Sequence, residues 1–229
     1  MMNASSLDPR TMRVIETPIS PFLQNAPILA CEETSEAILV DPGDEVEKIL
    51  EVAKSNNLNI KYIVLTHGHI DHAGGTKKIA EILNIDIVGP HKDDKFLLDS
   101  LELQGQMYGI AAQVFEPNRW LEHGDKLTFG NQELEIAHCP GHTPGHIVLI
   151  NHNSKIIIAG DVLFQGSIGR TDLPRGNHQD LLDSIKSNLL TLDDDYKVYS
   201  GHGAPTNICL LYTSPSPRDL STSRMPSSA

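Results

Sequence analysis

Apolar residues recur along the chain with two periods, and the change from one to the other lays out its elements. Periodicity begins at Arg13-Val14-Ile15, and Ala37-Ile38-Leu39-Val40 is a short apolar run closed by the turn signal Asp41-Pro42-Gly43. Val46, Ile49, Leu50 and Ala53 then fall at i, i+3, i+4 and i+7, which predicts an amphipathic helix over about 44–55. The β-branched run Ile60-Lys61-Tyr62-Ile63-Val64-Leu65 predicts a buried strand, 76–83 a helix and 85–90 another short strand. Residues 91–124 contain Phe96, Leu97, Leu98, Leu101, Met107, Tyr108 and Trp120 but little periodicity, and suggest a helix with a long loop over a site mouth. Two hairpins are expected next: 126–129 with 133–138 around Gly130-Asn131, and 148–151 with 155–159 around His152-Asn153-Ser154. Leu181, Leu182, Ile185 and Leu189 line a helix over about 178–190, and 197–200 is the last strand. The first part is β-rich; thereafter α and β alternate.

Ligand-type residues gather where these strands end. Thr66-His67-Gly68-His69-Ile70-Asp71-His72 packs three imidazoles and one carboxylate between a strand and a helix. Such a loop lets side chains converge while packed elements hold them still. The spacing is not that of two ligands on one helix face, and on a tight turn its members can point to two neighbouring places. Strand 133–138 runs into Cys139-Pro140-Gly141-His142, strand 155–159 into Gly160-Asp161, and strand 197–200 into Gly201-His202-Gly203. Each time a His or Asp stands beside a glycine that lets the backbone turn sharply. His67, His69, Asp71, His72, His142, Asp161 and His202 form a ligand set for two borderline metals, zinc first, with iron or manganese as alternatives. His91, His123, His138, His152 and His178 fall outside the pattern and read as surface or structural residues, while His146 reads as a partner of the ligands.

Composition narrows the classes. With 229 residues and 39% hydrophobic content the chain can bury one core, and a net charge of −12 argues against nucleic-acid or anionic-membrane partners. Three scattered cysteines make no disulfide framework and suit a reducing cytoplasm. No apolar run approaches the roughly 18–20 residues of a membrane span, and the start lacks a signal-peptide pattern. The expected division is an N-terminal extension over 1–11 that is disordered, a domain over 12–207, and a Ser/Pro-rich tail over 208–229 that looks like translated adapter or vector sequence.

The four motifs Thr66–His72, Pro140–His146, Gly160-Asp161 and Gly201-His202-Gly203 resemble, in that order, those of the metallo-β-lactamase superfamily. Pro140–His146 and Gly160–Phe164 are similar to its glyoxalase II (hydroxyacylglutathione hydrolase) branch, and Gly166–Gly176 to the small single-domain bacterial members. The resemblance implies an α/β, four-layer αββα sandwich: two mixed sheets face to face, helices outside. It implies one ion on His67, His69 and His142, another on Asp71, His72 and His202, and Asp161 bridging. It further implies hydrolysis of a small thioester such as S-lactoylglutathione by a monomer or small homo-oligomer. Zinc lowers the pKa of water to about 7, and a thiolate leaves without a dedicated acid. Asp71 would orient the nucleophile as well as bind metal, and Arg170 would clamp a substrate carboxylate or form a structural ion pair. The helical C-terminal domain of full-length glyoxalase II has no counterpart here, so another thiol carrier is open. Other readings are a mononuclear-iron persulfide dioxygenase, which shares Gly169-Arg170-Thr171-Asp172 but usually lacks the histidine found here as His146, a lactonase or other ester hydrolase, and a metal-binding protein without catalysis.

Overall fold

Alternation along the strands decides the layers. In β4, Ile28 and Ala30 face one side while Leu29 and Cys31 face the other, and both sides are buried. The same two-sided burial recurs along the later central strands, so each sheet must be covered on both faces. The computed structural model describes residues 11–208; the extension read over 1–11 and the tail read over 208–229 lie, but for Thr11 and Ile208, outside the described residues.

In chain order the elements are β1 (Met12–Ile15), β2 (Pro18–Ile19), β3 (Gln24–Asn25), β4 (Ile28–Cys31), β5 (Glu36–Val40), α1 (Val46–Ser55), β6 (Asn59–Val64), α2 (Ile70–Ala73), α3 (Thr76–Leu83) and β7 (Asp86–Val88). There follow α4 (Lys95–Leu98), α5 (Leu101–Tyr108), β8 (Lys126–Phe129), β9 (Gln132–His138), β10 (Ile147–Asn151), β11 (Ile156–Gly160), β12 (Leu163–Phe164), β13 (Ser167–Ile168), α6 (His178–Asn188), β14 (Lys197–Ser200) and β15 (Thr206–Asn207). One sheet has the order β1-β4-β5-β6-β7, the other β15-β14-β11-β10-β9-β8. Both are mixed: β5, β6 and β7 run parallel, as do β11 and β14, and the other pairings in these sheets are antiparallel.

Leu29, Ile38, Val40 and Val64 of the first sheet meet Leu134, Ile136, Leu149 and Ile158 of the second in one core. Ala37, Leu39 and Ile63 turn outward onto Ile49, Ala53 and Ile79 of α1 and α3. Val148, Ile157 and Val198 turn outward onto Leu181 and Ile185 of α6. The arrangement is the four-layer αββα sandwich.

One expected element differs. The single helix expected within 91–124 is a 3₁₀ turn (Lys92–Asp94) followed by α4 and α5, with 111–118 lacking regular structure. Between the two helices the Ser100 hydroxyl donates to the Leu97 carbonyl, offering the backbone an alternative to a continuous helix. No helix among the described residues is long and apolar enough to cross a membrane.

Candidate metal centre

Five strand ends meet at one margin of the sandwich. The loops after β5, β6, β9, β11 and β14 bring Asp41, His67–His72, His142–His146, Asp161 and His202 within reach of one another. Three overlapping groups of ligand atoms emerge, each lying within 4.8 Å: His67, His69 and His142 form the first, Asp71, His72 and His202 the second, and Asp41, His67 and His72 a third that shares a histidine with each. His69 Nδ1 faces His142 Nε2 at 3.0 Å, and His202 Nε2 faces Asp71 Oδ2 at 3.2 Å. Asp161 spans the first two. Its Oδ1 is 3.4 Å from His72 Nε2, and its Oδ2 is 3.6 Å from His142 Nε2 and 3.7 Å from His202 Nε2. All seven residues singled out in the sequence as ligands therefore converge.

The donor set passes a test of fit for metal ions. His67 Nε2, His72 Nε2 and Asp161 Oδ1 are buried without a hydrogen-bond partner. Orphaned polar atoms cost free energy unless something accepts their lone pairs, and imidazole with carboxylate is a ligand set for borderline divalent ions.

Outer partners fix the rings. His142 Nδ1 donates to the Arg170 carbonyl at 2.8 Å and His202 Nδ1 to the Phe22 carbonyl at 3.1 Å, so each presents Nε2 to the centre. His72 Nδ1 pairs with Asp41 Oδ2 at 2.9 Å. Asp41 also accepts from the Thr66 backbone N–H (2.7 Å) and hydroxyl (2.6 Å), and its own backbone is left-handed at φ 48°. Aspartate tolerates that conformation better than most residues with a side chain. His146 accepts the Asp161 N–H on Nε2 at 3.0 Å and stacks on the His67 ring at 4.6 Å, supporting two ligands without joining either group. Asp94 accepts from Gly68 N–H, Thr143 Oγ1 and Gly145 N–H at 2.9, 2.8 and 2.6 Å, and so ties the loop of His67 and His69 to that of His142. Burial pushes its carboxyl up to about 6 despite those three donors.

Asp41 and Asp94 are the residues that sequence reasoning missed. Asp41 did carry a related signal, an acidic residue just past a strand's end and two residues before Gly43; Asp94 lies in the weakly periodic segment and carried none. Gly201 is required by close approach, since a Cβ there would run into Asp161 Oδ1 and His72 Cε1.

The first two groups differ in charge. Burial, and the neighbouring His142, bring His69 down to about 3. Burial likewise holds His67 well below, and His142 below, the ordinary histidine range. For His72 burial works in the same direction, yet Asp161 and Asp71 outweigh it and raise the ring well above that range. His202 is raised too: its hydrogen bond to Asp71 and the charge of Asp161 overcome burial. Burial would raise Asp71 and Asp161, but the charge of His72 leads in holding both below the usual carboxylate range. Arg170 lies beside the centre through its carbonyl, while its guanidinium forks onto Asp172 at 2.7 and 2.8 Å, largely exposed.

A model of the metallo-beta-lactamase superfamily matches residues 21–202. The chain is 42% identical over 199 residues to hydroxyacylglutathione hydrolase GloC of Haemophilus influenzae, covering 86% of this chain and 93% of that one. Among solved structures it is similar to the BLEG-1 B3 metallo-beta-lactamase, with TM-score 0.81 and 32% identity over 89% of this chain and 98% of that one. It is also similar to TTHA1623 in a di-iron-bound form, with TM-score 0.80 and 34% identity over 88% and 98%.

Proposed function

Because the chain belongs to the metallo-beta-lactamase superfamily, we propose that it is a dinuclear metal-dependent hydrolase of a small thioester, of the hydroxyacylglutathione hydrolase kind. The observation that carries this reading is Asp161. One buried carboxylate stands between two groups of ligand atoms and reaches histidines of both, an arrangement made for two ions and wasted on one. In this reading His67, His69 and His142 hold one ion, Asp71, His72 and His202 the other, and Asp161 bridges. Zinc is the first choice, and the di-iron relative keeps iron open.

Two divalent ions there would lower the pKa of water toward about 7 and polarise a carbonyl. The chain's own residues do the rest. Asp71, its side chain one-fifth exposed and 3.2 Å from His202 Nε2, would orient an attacking water. Asp41 and the carbonyls of Arg170 and Phe22 fix tautomer and direction for three of the five histidines, so these three rings need not reorganise during reaction. A thiolate is a good leaving group and needs no dedicated acid. Arg170 is proposed as a clamp for a substrate carboxylate, which would replace Asp172 in an exposed ion pair of little strength. The partner class is a small-molecule thioester, with neither nucleic acid nor membrane, and the chain acts as a monomer or small homo-oligomer. Buried free Cys31 and Cys139 support a reducing cytoplasm as its place.

The test is S-lactoylglutathione hydrolysis by the purified protein beside an Asp71→Asn variant. The reading expects turnover, without oxygen uptake, that falls sharply in the variant. Oxygen uptake on glutathione persulfide by a one-iron protein would replace it with the dioxygenase reading.

A further inference from the structure

One loop leans on the metal centre at both ends and carries two arginines. Gly169 opens it, where a Cβ would run into the Asp161 carbonyl, and the next carbonyl, that of Arg170, holds His142 Nδ1 at 2.8 Å. Asn177 closes it by donating its backbone N–H to the Gly141 carbonyl at 2.8 Å. Between these anchors Leu173-Pro174-Arg175-Gly176 makes a tight turn, closed by the Gly176 N–H on the Leu173 carbonyl at 2.9 Å. Proline suits the second place of such a turn, and the third, left-handed here at φ 64°, favours glycine or asparagine. Arginine stands there instead.

Arg175 is exposed, and its guanidinium lies over the Phe96 ring, 4.0 Å from the ring centre. Phe96 belongs to α4, whose next residue, Leu97, comes so close to Gly68 that a Cβ there would meet it. Arg175 therefore joins two elements that border the first ligand group, one at Gly141 and one at Gly68. Arg13, Arg119 and Arg170 each pair with a carboxylate, whereas Arg175, the remaining arginine among the described residues, pairs with none. In a chain of net charge −12 that leaves a cation unneutralised beside the centre. The ring beneath it holds the guanidinium plane and leaves the edge N–H groups free. Those donors match two oxygens of a carboxylate or a phosphate.

We propose that Arg175, held on Phe96, binds an oxyanion of the substrate's thiol carrier, a carboxylate or a phosphate, beside the first ligand group. The inference rests on the thioester hydrolase reading and goes past Arg170, whose fork is already on Asp172. The oxyanion belongs to the carrier, because a small hydroxyacyl group has no charge once its carboxyl is in the thioester. Arg175 meets that charge equally before and during reaction, so it acts on KM and leaves kcat alone. It selects anionic carriers over neutral ones that bear the same acyl group.

The experiment titrates the metal-loaded protein, by calorimetry, with two thioethers that cannot be hydrolysed. S-hexylglutathione offers carboxylates and S-hexyl coenzyme A offers phosphates. Arg175→Met still covers Phe96 but has no charge, and is expected to bind one probe about 3- to 10-fold more weakly than the parent. The probe that responds names the anion, and added salt should weaken its binding more in the parent than in the variant. Thioesters of that carrier should show the same factor in KM at unchanged kcat, while the lactoyl thioester of N-acetylcysteamine, which has no anion, turns over equally in both chains. Arg175→Lys, with the charge but not the fork, should fall between and serves if the first variant misfolds. Equal affinity of parent and variants for both probes, or binding of neither, would overturn the inference even where S-lactoylglutathione is hydrolysed. Arg175-dependent binding without turnover of any thioester would uphold it and remove the hydrolase reading instead.

Discussion

The two ligand groups of the main centre sit side by side and are built on opposite electrostatic plans. The first is all imidazole and is kept neutral by burial, with His69 at about 3. The second pairs its imidazoles with Asp71, Asp161 and Asp41, and so holds its protons tightly in His72 and His202. A metal ion entering the first group displaces no proton near neutral pH, whereas one entering the second must expel protons that carboxylates stabilise. Charge is thus balanced differently: burial keeps the first group neutral, and carboxylates favour the charged form of the imidazoles in the second.

Substitution at the shared residue should do the most damage, because it abolishes the distinction. Asp161→Ala is expected to lose metal from both groups and to lower hydrolysis by more than the roughly 10–100-fold typical of outer partners, read by metal content and turnover. Single-group variants should separate the two. His69→Ala is expected to leave the second group able to bind and His202→Ala the first, each at about one ion fewer per chain; loss of both ions from either would merge the groups into one cooperative unit.

Gly201→Ala comes next. Its Cβ would press on Asp161 and His72, so the second group should weaken first, with a stability cost of about 1–3 kcal/mol visible in thermal unfolding. Asp41→Asn should be milder and confined to the second group, lowering its metal affinity about 10–100-fold while sparing the first.

The smallest effect concerns the metal-free protein and pH. His72 and His202 have raised folded values, so the stability they confer is full below the unfolded value of about 6.5 and fades as pH rises through the folded ones. His67, His69 and His142 have lowered values, so their stability is full above about 6.5 and is lost as pH falls toward the value of about 3 reached by His69. Chelated protein should therefore unfold more easily on either side of neutrality. His202→Ala should lessen the alkaline fall, leaving the share due to His72, and spare the acid side.

Much of this was legible in the chain because the chemistry coincides with strand ends. His67, His142, Asp161 and His202 each follow a strand that alternation or β-branching announces, and the αββα layering follows once the motifs are matched. What escaped did so for physical reasons. β4 is apolar at all four positions, so it shows no alternation to read, and β2, β3, β12, β13 and β15 are two residues each. α4 and α5 are short and divided near Ser100, and helices of that length take their stability from packing that a sequence window does not contain. Asp94 acts through three partners, on Gly68, Thr143 and Gly145, that are distant in sequence, and only the folded chain brings them together. The distinction between the groups was also hidden, since it depends on which histidine nitrogen meets which carboxylate.

The most direct test of two unequal ions is metal content against pH in the parent chain. The account predicts about two ions per chain near pH 8 and loss of one well before the other as pH falls toward about 5.5. The retained ion should be absent from His69→Ala and present in His202→Ala at the lower pH. Loss of both ions together, or no more than one ion at any pH, would contradict it.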